Sequence, residues 1–172
     1  MKRTQRLQAL AGRLDALAAA DDRRIQQAQQ IAGLRRQGAK ELHELCRSVV
    51  DELNPLLTRF RMELSPADYG DNGFRDPGKN VIQVDLRGRV VQITYEATDA
   101  YTSTEQFRIP YIIQGAIRWF NQERLDRDEM GEEWVFYSQE RDGWRWYVVD
   151  PRSRRFSPFD ADHLTSILEQ LV

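Results

Sequence analysis

The chain has one cysteine, two histidines and three lysines among its 172 residues, and its apolar runs are short, Ala16 to Ala20 being typical of the longest. Each scarcity excludes something. A lone Cys46 cannot form an internal disulfide or build a cysteine cage for zinc within one chain, and it suits a reducing, cytoplasmic setting. Apolar runs this short fall far below the roughly 20 residues needed to cross a bilayer as a helix. The opening MKRTQRLQALAGRLDALAAADD has the basic start of a signal peptide, but Arg13 and Asp15 interrupt the apolar centre such a peptide requires, so it reads as mature sequence. Glycine-rich phosphate loops of the GxxxxGKS or GxGxxG type are absent, which argues against the common nucleotide-hydrolysing and dinucleotide enzymes.

With so few histidines, acid–base and nucleophilic chemistry has little to work with. His43 and His163 each sit beside an acid, Glu44 and Asp162, and no serine lies in a glycine-rich elbow. Structural roles are expected for both. His43 and Cys46 could offer two ligands on one helical face, but zinc needs three or four, and Cys46 adjoins an apolar stripe where a core thiol is the ordinary state. The acidic stretch Asp126-Arg127-Asp128-Glu129-Met130-Gly131 matches a calcium loop at its first, third and sixth places only; the closing glutamate is replaced by Tyr137. No catalytic residue, metal or cofactor is expected.

What the chain has in quantity is charge, unevenly placed. Residues 1–38 carry eight bases against three acids, whereas the remaining 134 carry 17 bases against 24 acids, so a basic arm precedes an acidic body. Such polarity favours contact between the two, within or between chains, and also permits an anionic partner for the arm. Arginine outnumbers lysine 22 to 3, which a GC-rich bacterial genome produces as readily as selection for guanidinium chemistry.

Leu7, Leu10, Leu14 and Leu17 recur at intervals of three and four, the seam of an amphipathic helix or a two-heptad coiled coil. The stripe continues through Asp21 to Ile25, Ala28 and Ala32. Asp21 breaks the strict heptad, which leaves either one helix with a stutter or two helices with Asp21 or Asp22 capping the second. Arg35-Arg36-Gln37-Gly38 has the bases and glycine of a helix end, so a break is expected near Gly38. A core helix over 39–54 follows, with Leu42, Leu45, Val49, Leu53 and Leu56 as its stripe, and Asn54-Pro55 should stop it.

Beyond Pro55 the period changes. Phe60, Met62 and Leu64 alternate with charged residues, residues 65–80 read as a loop, and two hairpin signals follow. Arg87-Gly88 joins Ile82–Leu86 to Val91–Tyr95, and Asp142-Gly143 joins Glu133–Glu140 to Trp144–Val149. Phe107 to Ile113 alternates as a further strand, and 113–122 fits either strand or helix. Ser157-Pro158-Phe159-Asp160 announces a last helix over 158–172, with serine as cap. The fold class is therefore α+β: a basic helical arm over 1–38, then an α+β domain over 39–172, with an antiparallel meander of about five to six strands within 58–150. The closing helix packs on the sheet or on the core helix.

The aromatic hairpin is the first place to look for a binding face. Trp134, Phe136, Trp144 and Trp146 alternate and should share one face, with Tyr137 and Tyr147 on the other. Burial of both faces is the plainer account. An exposed version would offer a stacking platform, helped by Arg145, Arg152, Arg154 and Arg155. The stretch Trp146-Tyr147-Val148-Val149 followed by Arg154-Arg155-Phe156 resembles the WYL ligand-sensing domain of bacterial regulators. Its upstream spacing is longer than in that family, and no helix-turn-helix precedes it.

The leading expectation is a non-enzymatic interaction or assembly protein, a homo-oligomer or a protein-binding module, that associates through Leu7, Leu10, Leu14, Leu17 and Ile25. Two others stand beside it: nucleic-acid or nucleotide binding by the basic arm and the Trp/Arg hairpin, and a small-ligand cavity lined by Tyr95, Tyr111, Trp119 and Trp134.

Overall fold

The computed structural model describes residues 3–102, 104 and 107–172, the side chains of 100–102 excepted. One helix, α1, runs from Arg3 to Leu53. Seven strands follow: β1 (Glu63–Ser65), β2 (Asn80–Leu86), β3 (Arg89–Thr102), β4 (Tyr111–Phe120), β5 (Gly131–Glu140), β6 (Gly143–Val149) and β7 (Phe156–Pro158). Short α2 (Gln122–Asp126) interrupts β4 and β5, and α3 (Ala161–Glu169) closes the chain. The strands form one sheet in the order β1 to β7, every neighbour antiparallel, so the α+β meander is as the sequence indicates, with seven strands where five to six were expected. By internal packing the chain divides into two units, one ending at Leu34 and one running from Arg35 to Val172.

In the second unit, the part of α1 beyond Arg35 and helix α3 supply the apolar faces. Ala39, Leu42 and Cys46 have no solvent exposure, and neither do Ile82, Ile113, Ile117, Val135 and Tyr137 of the sheet. The space between helix and strands is filled by side chains. Helix α1 stops at Leu53 because Asn54 and Pro55 enter a short 3-10 turn, and Asn54 ties down the chain reversal by exchanging two hydrogen bonds with the backbone of Met62 (2.7 and 3.1 Å).

The expected break near Gly38 is absent: α1 is continuous through it, so 1–38 and 39–54 are not separate helices. The glycine serves packing rather than termination. A Cβ at Gly38 would lie 2.6 Å from the Tyr137 ring, and the Gly38 carbonyl accepts the indole N–H of Trp146 at 2.7 Å. Asp21 causes no interruption either, so one helix is correct and two are not.

Other boundaries differ for local reasons. Residues 113–122 are strand to Phe120, all of it within β4, while Phe107 lies outside any strand and stacks flat on Phe136 with centroids 4.7 Å apart. Phe107 alternates with Ile109 and Tyr111, but its ring is used as a cover over the sheet. Ser157 does not cap α3. It pairs with Val148 in β7, beyond the 58–150 span expected to hold every strand, and Asp160 caps α3 by accepting the His163 N–H at 2.9 Å. Pro158 is tolerated because β7 is an edge strand. The Arg87-Gly88 turn has positive φ at both residues (55° and 87°), as a tight two-residue hairpin requires.

Candidate interaction surfaces

The unit ending at Leu34 is described by its exposure. From Arg3 to Gln30 every residue is exposed except half-buried Ala20. Leu7, Leu10, Leu14, Leu17 and Ile25 are 44–60% exposed. An α-helix completes five turns in 18 residues, the separation of Leu7 from Ile25, so the extra residue at Asp21 returns the leucine seam to the azimuth from which it would otherwise drift. The result is a straight apolar stripe.

The hairpin residues are arranged differently from the expected platform. Direct cross-strand partners share a face, and the register pairs positions of opposite parity, even with odd and odd with even: Trp134 with Val149, Phe136 with Tyr147, Tyr137 with Trp146, Gln139 with Trp144. Trp144 and Trp146 therefore share a face with Tyr137, and Trp134 and Phe136 share the other with Tyr147. Alternation within one strand cannot reveal this; only the turn register does. Both faces are largely covered. Trp146 is buried against Gly38, and half-buried Trp144 stacks on Tyr137 at 5.6 Å. Trp134 is half-buried against the cluster of Phe107, Tyr111, Phe136, Tyr147 and Val149.

The arginines are split as well. Arg145 lies near Glu140 at the turn (3.7 Å), whereas Arg152, Arg154 and Arg155 are exposed in the tight loop at the opposite end of β6. That loop is organised by Asp150, whose carboxylate accepts the Arg152 N–H at 2.8 Å and the Ser153 N–H at 3.4 Å. These backbone hydrogen bonds, Arg152 foremost, hold its pKa below the usual value.

Of the four residues proposed to line a cavity, Tyr95, Tyr111 and Trp134 border one surface groove of about 360 Å³ together with Thr94, Glu96 and Gln114, while Trp119 is buried elsewhere, opposite Gly131. A second, more apolar groove of about 460 Å³ lies between the end of α1, the segment after it and α3. Its sequence signal was the pair Leu56 and Leu57 with Phe60, apolar residues just past a proline stop.

The histidines and the thiol have structural surroundings. His43 donates from Nε2 to the Pro66 carbonyl (2.7 Å) and stacks on Tyr69, whose hydroxyl meets that of Tyr95 at 3.1 Å. Burial raises the pKa of both tyrosines, and that of Tyr95 strongly. His163 donates from Nε2 to Glu133 at 2.9 Å. Burial alone pushes the Cys46 thiol up to about 12. Among the described residues, no group of three or more His, Cys, Asp or Glu side chains is placed to hold a metal ion. No helix of the described residues is long and apolar enough to cross a membrane.

Sequence reading missed Arg35. It is buried, and its guanidinium donates from Nε to the Ile112 carbonyl (3.0 Å), from a terminal nitrogen to the Thr98 carbonyl, and from the other to Asp76 (3.2 Å). Thr98 and Ile112 lie where the β3–β4 and β4–β5 registers shift. Bulges leave carbonyls outside the ladder, and one planar fork with several donors satisfies two of them at once.

No protein-family model matches this chain, and neither does any curated protein or solved structure.

Proposed function

We propose that this is a non-enzymatic assembly protein that self-associates through the leucine stripe of its N-terminal arm. The observation that carries this reading is the exposure of Leu7, Leu10, Leu14, Leu17 and Ile25 along one straight helical face. An apolar stripe open to water, interrupted only at Asp21, marks an interaction site, because covering it removes apolar surface from solvent. Three–four spacing suits a helical or coiled-coil partner.

Size-exclusion chromatography with light scattering tests it on the full chain. Wild type is expected to elute at a multiple of its 20.2 kDa mass, and the triple variant Leu10→Gln, Leu14→Gln, Leu17→Gln at that mass itself. Glutamine keeps helix propensity close to leucine's, so the change isolates the stripe. A monomeric wild type at micromolar concentration would sink the reading.

A further inference from the structure

We propose that the apolar groove at the C-terminal end of α1 receives the N-terminal arm of a second copy of the chain. This rests on the self-association reading and names the surface it uses. The groove has Leu53, Leu56 and Phe60 among its apolar walls, and Leu56 is 74% exposed. Its charged lining consists of Glu52, Asp162 and Glu169, three carboxylates and no base. Arg59 and Arg61 flank Phe60 in sequence but do not line it.

The arm supplies the complement. Between Arg3 and Leu14 it presents Leu7, Leu10 and Leu14 at helical spacing with Arg3, Arg6 and Arg13 as its only charges, the first acid being Asp15. Leucines seated in the trough place guanidinium groups at an acidic rim, the helix-in-groove mode of recognition with charges fixing its direction. Arm and groove are different patches, so the contact is heterologous: it closes as a reciprocal dimer or continues from copy to copy.

Cysteine cross-linking on full-length protein decides it, because buried Cys46 leaves introduced thiols as the reactive ones. Mixing a Leu10→Cys chain with a Leu56→Cys chain under mild oxidation is expected to give a disulfide-linked dimer that neither gives alone. Adding Glu52→Lys, Asp162→Lys and Glu169→Lys to the second chain should cut that product by about tenfold, and Arg3→Glu, Arg6→Glu and Arg13→Glu in the first chain should restore it. Leu10→Cys cross-linking to itself, with no mixed product, would mean that arms pair with each other; the groove assignment then falls while self-association stands. A Leu10→Cys/Leu56→Cys double variant that closes only within one chain overturns the second copy as occupant. A wild type monomeric by light scattering overturns both readings.

Discussion

The indole N–H of Trp146 donates to the carbonyl of Gly38 across 108 positions of sequence, at 2.7 Å, and the Tyr137 ring lies against the same glycine. Substituting Gly38→Ala sets two effects against each other. Alanine favours a helix interior by about 1 kcal/mol, but its methyl would lie 2.6 Å from an aromatic ring that has no room to move, since Tyr137 is fully buried. Overpacking of that kind costs about 1–3 kcal/mol and should win. Urea denaturation of Gly38→Ala is expected to show a lower midpoint; a higher one would mean that the contact is slack.

Arg35 should be intolerant even of lysine. Its fork spans two carbonyls and Asp76, which one ammonium cannot reproduce. Arg35→Lys and Arg35→Met are both expected to destabilise by about 3 kcal/mol, since each leaves buried carbonyls without donors. Chemical denaturation measures the loss, and amide exchange should rise first around Thr98 and Ile112. A lysine variant as stable as wild type would remove the guanidinium's special role.

Cys46 gives a pH dependence of known sign. Its thiol is protonated in the fold up to about 12, against an ordinary value of 9.0. Above pH 9 the unfolded chain loses this proton while the folded one keeps it, so the folded state binds more protons and stability falls as pH rises from 9 to 12. The raised values of Tyr95 and Tyr137, caused first by burial, act in the same direction at higher pH. Melting temperature followed between pH 8 and pH 10 should decline, less steeply in Cys46→Ala. At pH 8 a thiol reagent should label Cys46 only on unfolding; rapid labelling of the native chain would contradict its burial.

Asn54 offers a test of how α1 is joined to the sheet. Its side chain both donates to and accepts from Met62, and Asn54→Ala removes both bonds. At roughly 1 kcal/mol for each neutral bond, a loss of about 2 kcal/mol is expected by denaturation. Asn54→Asp should recover the accepting half alone and fall between the two.

Much of the fold could be read from the sequence because its signals are local. Alternating β-branched and aromatic residues give the longer strands their period; Arg87-Gly88 marks one tight hairpin, and Asp142-Gly143 marks the other one residue late, since the turn is Arg141-Asp142 and Gly143 opens β6. What escaped depends on partners far away. Gly38 looks like a helix end until Tyr137 and Trp146 are placed against it. Which face Trp144 and Trp146 occupy relative to Trp134 hangs on a one-residue choice of turn register. Arg35 counted as one of eight bases in a solvated arm, and nothing within ten residues of it announces two bulges some sixty and eighty positions later. The leucine stripe lay in plain view, and its exposure in the fold leaves its partner as the matter to be measured.

The two outer strands of the sheet, Glu63–Ser65 and Phe156–Pro158, are only three residues long, and one ends in proline. An open meander has two rows of unpaired backbone groups at which another chain could add a strand, the usual route to fibrillar aggregation. Here each outer strand pairs with only three residues of its neighbour, Gln83 to Asp85 of β2 and Tyr147 to Val149 of β6, and is itself a short template. Strand addition at either margin is left to the short outer strands and the uncovered ends of β2 and β6, whereas the exposed leucine face of α1 offers contact governed by side chains, which is selective and reversible.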